Sequence, residues 1–525
     1  MCGILFSTSP LIPEREFALA LDSMAYRGPD ASGLLRCGNV LIGQRRLSII
    51  DPLPRSDQPF LSEDGRYAVV FNGEIYNYKE LAKRHMLDVT TGSDTEVLLR
   101  LFIKIGSSFL SELNGMFAFV ILDTQTGAWF VARDRLGVKP LYVAHHGSGL
   151  LFASEPAPLL ELTGRREFDE TGLRQYRKLR TFFNGVTIWK GIGQFPAGCC
   201  MTQADSGVPR TWWKLPEGPQ SPPSDEELHA LIMDAVQLRR IADVPVGAFL
   251  SGGLDSTIVT GIAAQRDTWS VGFATENEFD WAKLAADKFG TSHNEVTVGY
   301  EEFITLATEM IRARREPLSV PNEVLIFAMT KQASKKNKVI LSGEGADELF
   351  YGYDRIFRWA VTHQWDLRSF SSLYSYGSID DFEIVESALS PFLNSGGSLQ
   401  IVARFFQIAH LHGLLRRLDS ATMLCGVEAR EPFVDYRLIE RLVGVSFDWK
   451  LSDGQIKAPL KRVFADLVPK EIIDRPKIGF AVPLERIAFP HTQNQADMNP
   501  MDRWFAFNLS ILANQELSLE DIRCV

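Results

Sequence analysis

Cys2 stands one residue from the start of the sequence, ahead of Gly3-Ile4-Leu5-Phe6. Methionine is commonly removed before a small residue. Removal here would leave the thiol beside its own α-amine, whose pKa is about 7.7–8.0. Such an amine can act as general base for an adjacent nucleophile. A second feature is the loop Phe249-Leu250-Ser251-Gly252-Gly253-Leu254-Asp255-Ser256-Thr257, between a predicted strand and a predicted helix. Small residues let backbone N–H groups approach phosphate, and a helix N-terminus favours anions. The loop is not a Walker A motif, which would need G-x-x-x-x-G-K-S/T. Acids gather again at Glu344, Asp347 and Glu348.

Those residues need elements to hold them. The first half reads as short strands at Leu34–Arg36, Val40–Ile42, Tyr67–Phe71, Met116–Asp123 and Trp129–Arg133. Helices are predicted at Glu14–Met24 and Thr95–Ile105, where Val97, Leu98, Leu101 and Phe102 share a face. This is an α+β pattern of sheets covered by a few helices. A linker composition follows at 206–225, rich in Pro, Gly and Ser. Ser224 ahead of Asp225-Glu226-Glu227 reads as an N-cap with an acidic first turn. Beyond it, strands at Val246–Leu250, Trp269–Phe273 and Lys338–Leu341 alternate with helices such as Ser256–Gln265. That alternation predicts a parallel α/β sheet. From about 355 the chain reads as mainly helical. The expected organisation is therefore residues 1–205, a linker 206–225, and residues 226–525.

Composition narrows the function classes. The 525 residues are 45% hydrophobic and 23% charged, with a net charge of −10, as in ordinary globular proteins. No polybasic run offers a nucleic-acid surface. No apolar run nears the roughly 20 residues of a membrane span, and the start lacks the form of a signal peptide. Six cysteines, none at zinc-site spacing, fit a reducing, cytoplasmic setting.

Five blocks follow Cys2 in order: Tyr26–Asp30, Arg45–Asp51, Phe71–Asn77, Thr91–Glu96 and Ala132–Tyr142. Together they resemble the class II glutamine amidotransferase domain, an N-terminal-nucleophile fold. The resemblance implies that Cys2 attacks the glutamine amide, with the Asn72 side chain and the Gly73 N–H as oxyanion hole. Each such donor is worth about 3–4 kcal/mol. It further implies that Arg46 holds the glutamine α-carboxylate and that Glu74 and Asp94 hold its α-ammonium. Main-chain groups of Leu47, Ser48, Ile49 and Ile50 would line the pocket. Asn72-Gly73 is also a dipeptide that favours a hairpin turn.

The loop at 251–256 resembles the PP-loop, S-G-G-x-D-S, of ATP pyrophosphatases. The resemblance implies that Leu250, Ser251, Gly252, Gly253, Asp255, Ser256, Val271, Ser342 and Gly343 bind ATP. Asp255 and Asp347 would be Mg²⁺ ligands, since carboxylates suit that hard cation. Glu344 would handle the adenylated intermediate, and Lys457 would sit near the departing pyrophosphate, with Lys461 one turn on. Blocks at Leu418–Met423, Val427–Asp435, Lys457–Arg462 and Arg475–Pro483 extend the likeness.

Over nearly its full length the chain resembles glutamine-dependent asparagine synthetase. That implies a carbon–nitrogen ligase using glutamine, ATP, Mg²⁺ and a carboxylate acceptor, with an apolar passage for ammonia. Aspartate is the leading acceptor, and a homodimer is kept open. Gln44, Pro156 with Pro158, and Glu431 depart from common family forms. The two prolines are expected to break the helix start after Ser154-Glu155. These departures keep a sugar acid or other metabolite as an alternative acceptor. A non-catalytic relative and a β-lactam-synthetase-like ligase are argued against by Cys2, Asn72, Asp94 and the 251–256 loop. His410 and His412, two apart with no acid close in sequence, are assigned to packing or surface. Trp212-Trp213 is read as an interdomain anchor, Cys199-Cys200 as the buried, inert end of a strand, and Lys335–Lys338 as a solvated helix end.

Overall fold

The computed structural model describes residues 2–452, 454–476, 482–490 and 498–516. Residues 477–481 of the block read at Arg475–Pro483 lie outside them. The amino-terminal half is built on two six-stranded sheets. One runs, in spatial order, Ile192–Gln194, Tyr142–His146, Gly149–Ala153, Gly3–Ser7, Val40–Arg46, Ala31–Cys37. The other runs Arg210–Thr211, Cys199–Thr202, Trp129–Arg133, Gly115–Asp123, Tyr67–Ile75, Phe60–Leu61. Among the described residues their strands pair antiparallel. Alternate side chains of both sheets, among them Ile4, Phe6, Ile42, Val70, Val120 and Phe152, meet in a shared core. Helices Glu14–Asp22 and Pro156–Thr163 cover the first sheet, and Asp94–Ile105 covers the second. This is the α+β arrangement of stacked sheets covered by a few helices that the sequence pattern predicts.

The carboxyl-terminal half has a five-stranded parallel sheet. Its order is Ser292–Thr297, Asp267–Gly272, Val246–Phe249, Val339–Leu341, Glu428–Arg430. Helices dominate beyond residue 354, with a π-turn at Phe406–His410. Ser224 caps helix Asp225–Leu238 by accepting the Glu227 N–H at 3.1 Å. No helix among the described residues is long and apolar enough to cross a membrane.

Three local expectations change. Asn72-Gly73 is no hairpin turn. Both residues lie inside strand Tyr67–Ile75, with Gly73 opposite Phe117. A Cβ on Gly73 would stand 2.1 Å from the Met116 carbonyl oxygen, so the position demands glycine for space. Pro156 does not break the helix at 156. It occupies the first turn of helix Pro156–Thr163, where a missing N–H costs nothing. Cys199-Cys200 opens the strand Cys199–Thr202 rather than ending one, though both thiols are buried as read.

The two halves are locked by buried charge. Arg27, with no exposed surface, pairs with Glu155 at 2.5 Å and with Asp419 at 2.9 Å. Lys139 meets the same Asp419 at 3.3 Å. Breaking a buried pair of this kind costs about 3–5 kcal/mol, because a charge is left without water or partner. Trp213 donates to Glu440 at 2.6 Å, which makes it the expected anchor. Lys338, read as solvated, pairs across the halves with Asp30 at 2.8 Å.

Candidate active sites

Strand Gly3–Ser7 of the first sheet has Cys2 at its start, and strand Tyr67–Ile75 of the facing sheet presents Asn72. The Cys2 N–H donates to Asn72 Oδ1 at 3.0 Å. Among the described residues, Asn72 Nδ2 donates only a long 3.4 Å bond to Ser154 Oγ. Cys2, Arg46, Leu47, Ile49, Ile50, Gly73, Glu74 and Asp94 line one cavity of ≈ 20 Å³. That is about the room of one water. Ser48 is held aside, its N–H donating to Asp30 at 2.8 Å. Burial pushes the Cys2 thiol up from its ordinary value. It needs a base to react near neutrality. Burial also lifts Glu74 well above the carboxylate range and Asp94 to about 6.

The two acids differ in their partners. Asp94 Oδ2 accepts the Ile75 N–H at 2.9 Å. Glu74 Oε1 lies 3.4 Å from Arg430, while its Oε2 is buried without a hydrogen-bond partner among the described residues. That oxygen is suited to a ligand donor. Arg46 is already committed. Its Nη1 donates to Asp57 at 2.6 Å and Leu53 O at 3.2 Å, and its Nη2 to Asp51 O at 2.7 Å and Ile50 O at 3.3 Å. A bidentate grip on a ligand carboxylate would compete with those acceptors. Gln58 also lines the cavity and was missed from sequence. Its amide oxygen accepts from Gln44 and from the Phe71 N–H, both at 2.7 Å. Gln44 thus serves as a buried brace.

The second site is a cavity of ≈ 800 Å³ at the carboxyl ends of the parallel strands. Leu250, Ser251, Gly253, Asp255, Ser256, Val271, Ser342, Gly343, Glu344, Asp347, Lys457 and Lys461 all line it. Gly252 lies behind the surface with φ 71, and a Cβ there would stand 2.4 Å from the Trp281 carbonyl carbon. Ser256 Oγ lies 3.1 Å from Ser251 Oγ, which folds the loop over the start of helix Leu254–Ala263. Lys457 is the group between the acids. Its Nζ is 2.5 Å from Asp255 and 2.5 Å from Asp347. Burial opposes its charge, and these two carboxylates restore it and raise its pKa. Two carboxylates converging on one cation are the donor set a Mg²⁺ ion uses, so the residues fit that ion. Gly352, unremarked in the sequence, makes room for them. A Cβ there would stand 1.8 Å from Asp347 Oδ1.

Other lining residues went unread. Arg417 holds Glu344 at 2.5 Å. Arg417 precedes the Leu418–Met423 block, which was the available signal. His410, assigned to packing, lines the cavity and bonds Tyr374 at 3.0 Å and Tyr353 at 3.2 Å. An acid does sit near it in space, Glu348 at 3.7 Å. Burial pushes Glu348 up to about 8. Glu431 is buried as well, and burial pushes it up to about 8.

One residue touches both sites. The Arg430 side chain reaches Glu74 in the cysteine cavity at 3.4 Å, and its carbonyl accepts the Ser342 N–H of the larger cavity at 2.9 Å. Glu428 anchors that guanidinium at 2.5 Å.

The comparisons follow the same division. A family pattern described as glutamine amidotransferase domain matches residues 1–213. One described as asparagine synthase matches residues 227–504. Asparagine synthetase (glutamine-hydrolysing) 1 of Bacillus subtilis is 30% identical over 92% of this chain and 87% of its own. Asparagine synthetase (glutamine-hydrolysing) 2 of Arabidopsis thaliana is 30% identical over 92% of this chain and 78% of its own. The Zea mays enzyme of that name is 29% identical over the same shares, 92% and 78%. The chain belongs to the asparagine synthase family, with a glutamine amidotransferase domain ahead of the synthase region.

Proposed function

We propose that the chain is a glutamine-hydrolysing asparagine synthetase. It joins ammonia from glutamine to the side-chain carboxylate of aspartate through an acyl-AMP, releasing AMP, pyrophosphate and glutamate. The observation that carries this reading is the pair of cavities, one with Cys2 and one with the glycine loop, joined through Arg430.

In the first cavity the Cys2 amine, once exposed as a terminus, takes the thiol proton and the sulfur attacks the glutamine amide. The Asn72 amide and the Gly73 N–H receive the oxyanion. Glu74 Oε2 and Asp94 take the glutamine ammonium. The leaving ammonia stays inside the protein, where it escapes protonation by bulk water. In the second cavity the N–H groups of the 251–256 loop hold phosphate oxygens. Asp255 and Asp347 would hold Mg²⁺, which supplies charge neutralisation at the phosphates. Lys457 would then leave those acids and meet the pyrophosphate charge. Glu344, steered by Arg417, faces the acyl adenylate. The aspartate reading draws support from the names of the relatives.

The test supplies ATP, Mg²⁺ and ammonium, and compares pyrophosphate release with each carboxylate against the background without acceptor. Aspartate should raise it, with AMP in equal amount. ADP and phosphate as products would refute the phosphate-loop assignment. A rise with another carboxylate and none with aspartate would move the acceptor and keep the ligase class.

A further inference from the structure

We propose that Arg180 anchors a second carboxylate of the acceptor, so that the large cavity selects dicarboxylates and is completed by a residue of the amidotransferase half. The inference rests on the amidation reading above and deepens it.

Arg180 ends helix Glu170–Leu179 in the left-handed region, φ 62, and lines the ≈ 800 Å³ cavity with Thr181. Its guanidinium lies over the Tyr376 ring at 4.0 Å and the Tyr374 ring at 5.5 Å. These aromatic faces hold a planar cation, the Tyr374 and Tyr376 phenols take hydrogen bonds from it, and the rest of its five N–H donors can serve a ligand. No carboxylate pairs with it among the described residues. The other two guanidinium groups lining the cavity have acid partners, Arg417 with Glu344 and Arg475 with Glu278. A second observation sits beside it. Thr181 is 6% exposed, and its Oγ1 has no hydrogen-bond partner among the described residues. A buried hydroxyl left without a partner is costly, and a ligand oxygen would satisfy it.

The placement fits a short diacid. A Cβ on Gly413 would lie 3.3 Å from Thr181 Oγ1, so the Arg180–Thr181 turn rests on helix Leu411–Met423 at Gly413. Arg417, four residues on, shares that helix face and holds Glu344. One helical turn is about 5.4 Å. Glu344 and Thr181 thus meet the same helix about one turn apart. A diacid of about four or five carbons, with a guanidinium–carboxylate contact of about 2.8 Å, bridges that separation. The reacting carboxylate would lie by Glu344 and the other by Arg180.

The experiment measures pyrophosphate release with ammonium as nitrogen donor and saturating Mg²⁺–ATP. Wild type, Arg180→Met and Arg180→Lys are compared with aspartate and with 3-aminopropanoate, which lacks the second carboxylate. Wild type should prefer aspartate by about 10³-fold in kcat/KM. Arg180→Met should raise the aspartate KM about 10²-fold or more, keep kcat within about threefold, and leave 3-aminopropanoate unchanged. Arg180→Lys should recover part of the loss. A fall in kcat alone, an equal loss for both acceptors, or wild-type indifference between them overturns the proposal. If aspartate is inert, succinate, glutarate and monoacids follow. A diacid with an Arg180-dependent KM moves the acceptor and keeps the subsite, and turnover of monoacids alone overturns it. If nothing turns over, the amidation reading fails. Labelled aspartate and succinate are then tested by equilibrium dialysis, where retention by wild type and not by Arg180→Met supports the subsite and equal retention overturns it.

Discussion

Cys2→Ala should abolish glutamine hydrolysis, by at least about 10³-fold, while synthesis with added ammonium at elevated pH persists. The thiol is the nucleophile in this account, and no neighbouring group replaces it. Cys199 and Cys200 are buried in another strand, where burial pushes both thiols up and leaves them unreactive. Losing an attacking group removes the covalent route altogether, which is why the effect is far larger than that of a binding residue. The variant changes one small side chain at the start of a buried strand, so the second cavity stays intact. Glutamate release at the wild-type rate would sink the assignment of Cys2.

Asp255→Asn should lower kcat/KM for ATP about 10²–10³-fold in the ammonium-dependent reaction, with basal glutamine hydrolysis retained. The physical reason is the triangle of Asp255, Asp347 and Lys457. Both acids lie 2.5 Å from one ammonium. A neutral amide at 255 halves the negative charge available to a divalent ion and unbalances the buried lysine. Pyrophosphate release titrated against Mg²⁺ checks this. The variant should need more Mg²⁺ for half-maximal rate. A rate and Mg²⁺ requirement like those of wild type would remove Asp255 from the metal role.

Much of this was legible because the chemistry is local in sequence. The Ser251–Ser256 loop carries its own strand and helix, and six consecutive positions describe it. The strands of the amino-terminal half are also found where expected, because β-rich runs bounded by Gly, Asn and Asp are a local signal. What failed was local propensity read without its surroundings. Asn72-Gly73 looks like a turn in isolation, yet the Met116 carbonyl opposite it leaves room only for glycine in a strand. Edge strand Ser292–Thr297 was missed because it is mostly polar and only partly buried. Pro156 looked like a breaker and is a helix opener. The residues that join the halves were illegible for a different reason. Arg27 and Asp419 are 392 positions apart, and neither periodicity nor motif spacing carries such a pairing. Arg180 was invisible for the same reason, since its cavity belongs to strands and helices far along the chain.

The central claim is that nitrogen freed at Cys2 reaches the Glu344 cavity without leaving the protein. Its most direct test is isotope transfer. The wild-type enzyme is given amide-¹⁵N glutamine, ATP, Mg²⁺ and aspartate in an excess of unlabelled ammonium, at a pH near 7 where most free ammonia is protonated. The new amide is then analysed by mass. The account predicts an amide carrying the label at nearly the enrichment of the glutamine. An amide diluted to the enrichment of the bulk ammonium would contradict it.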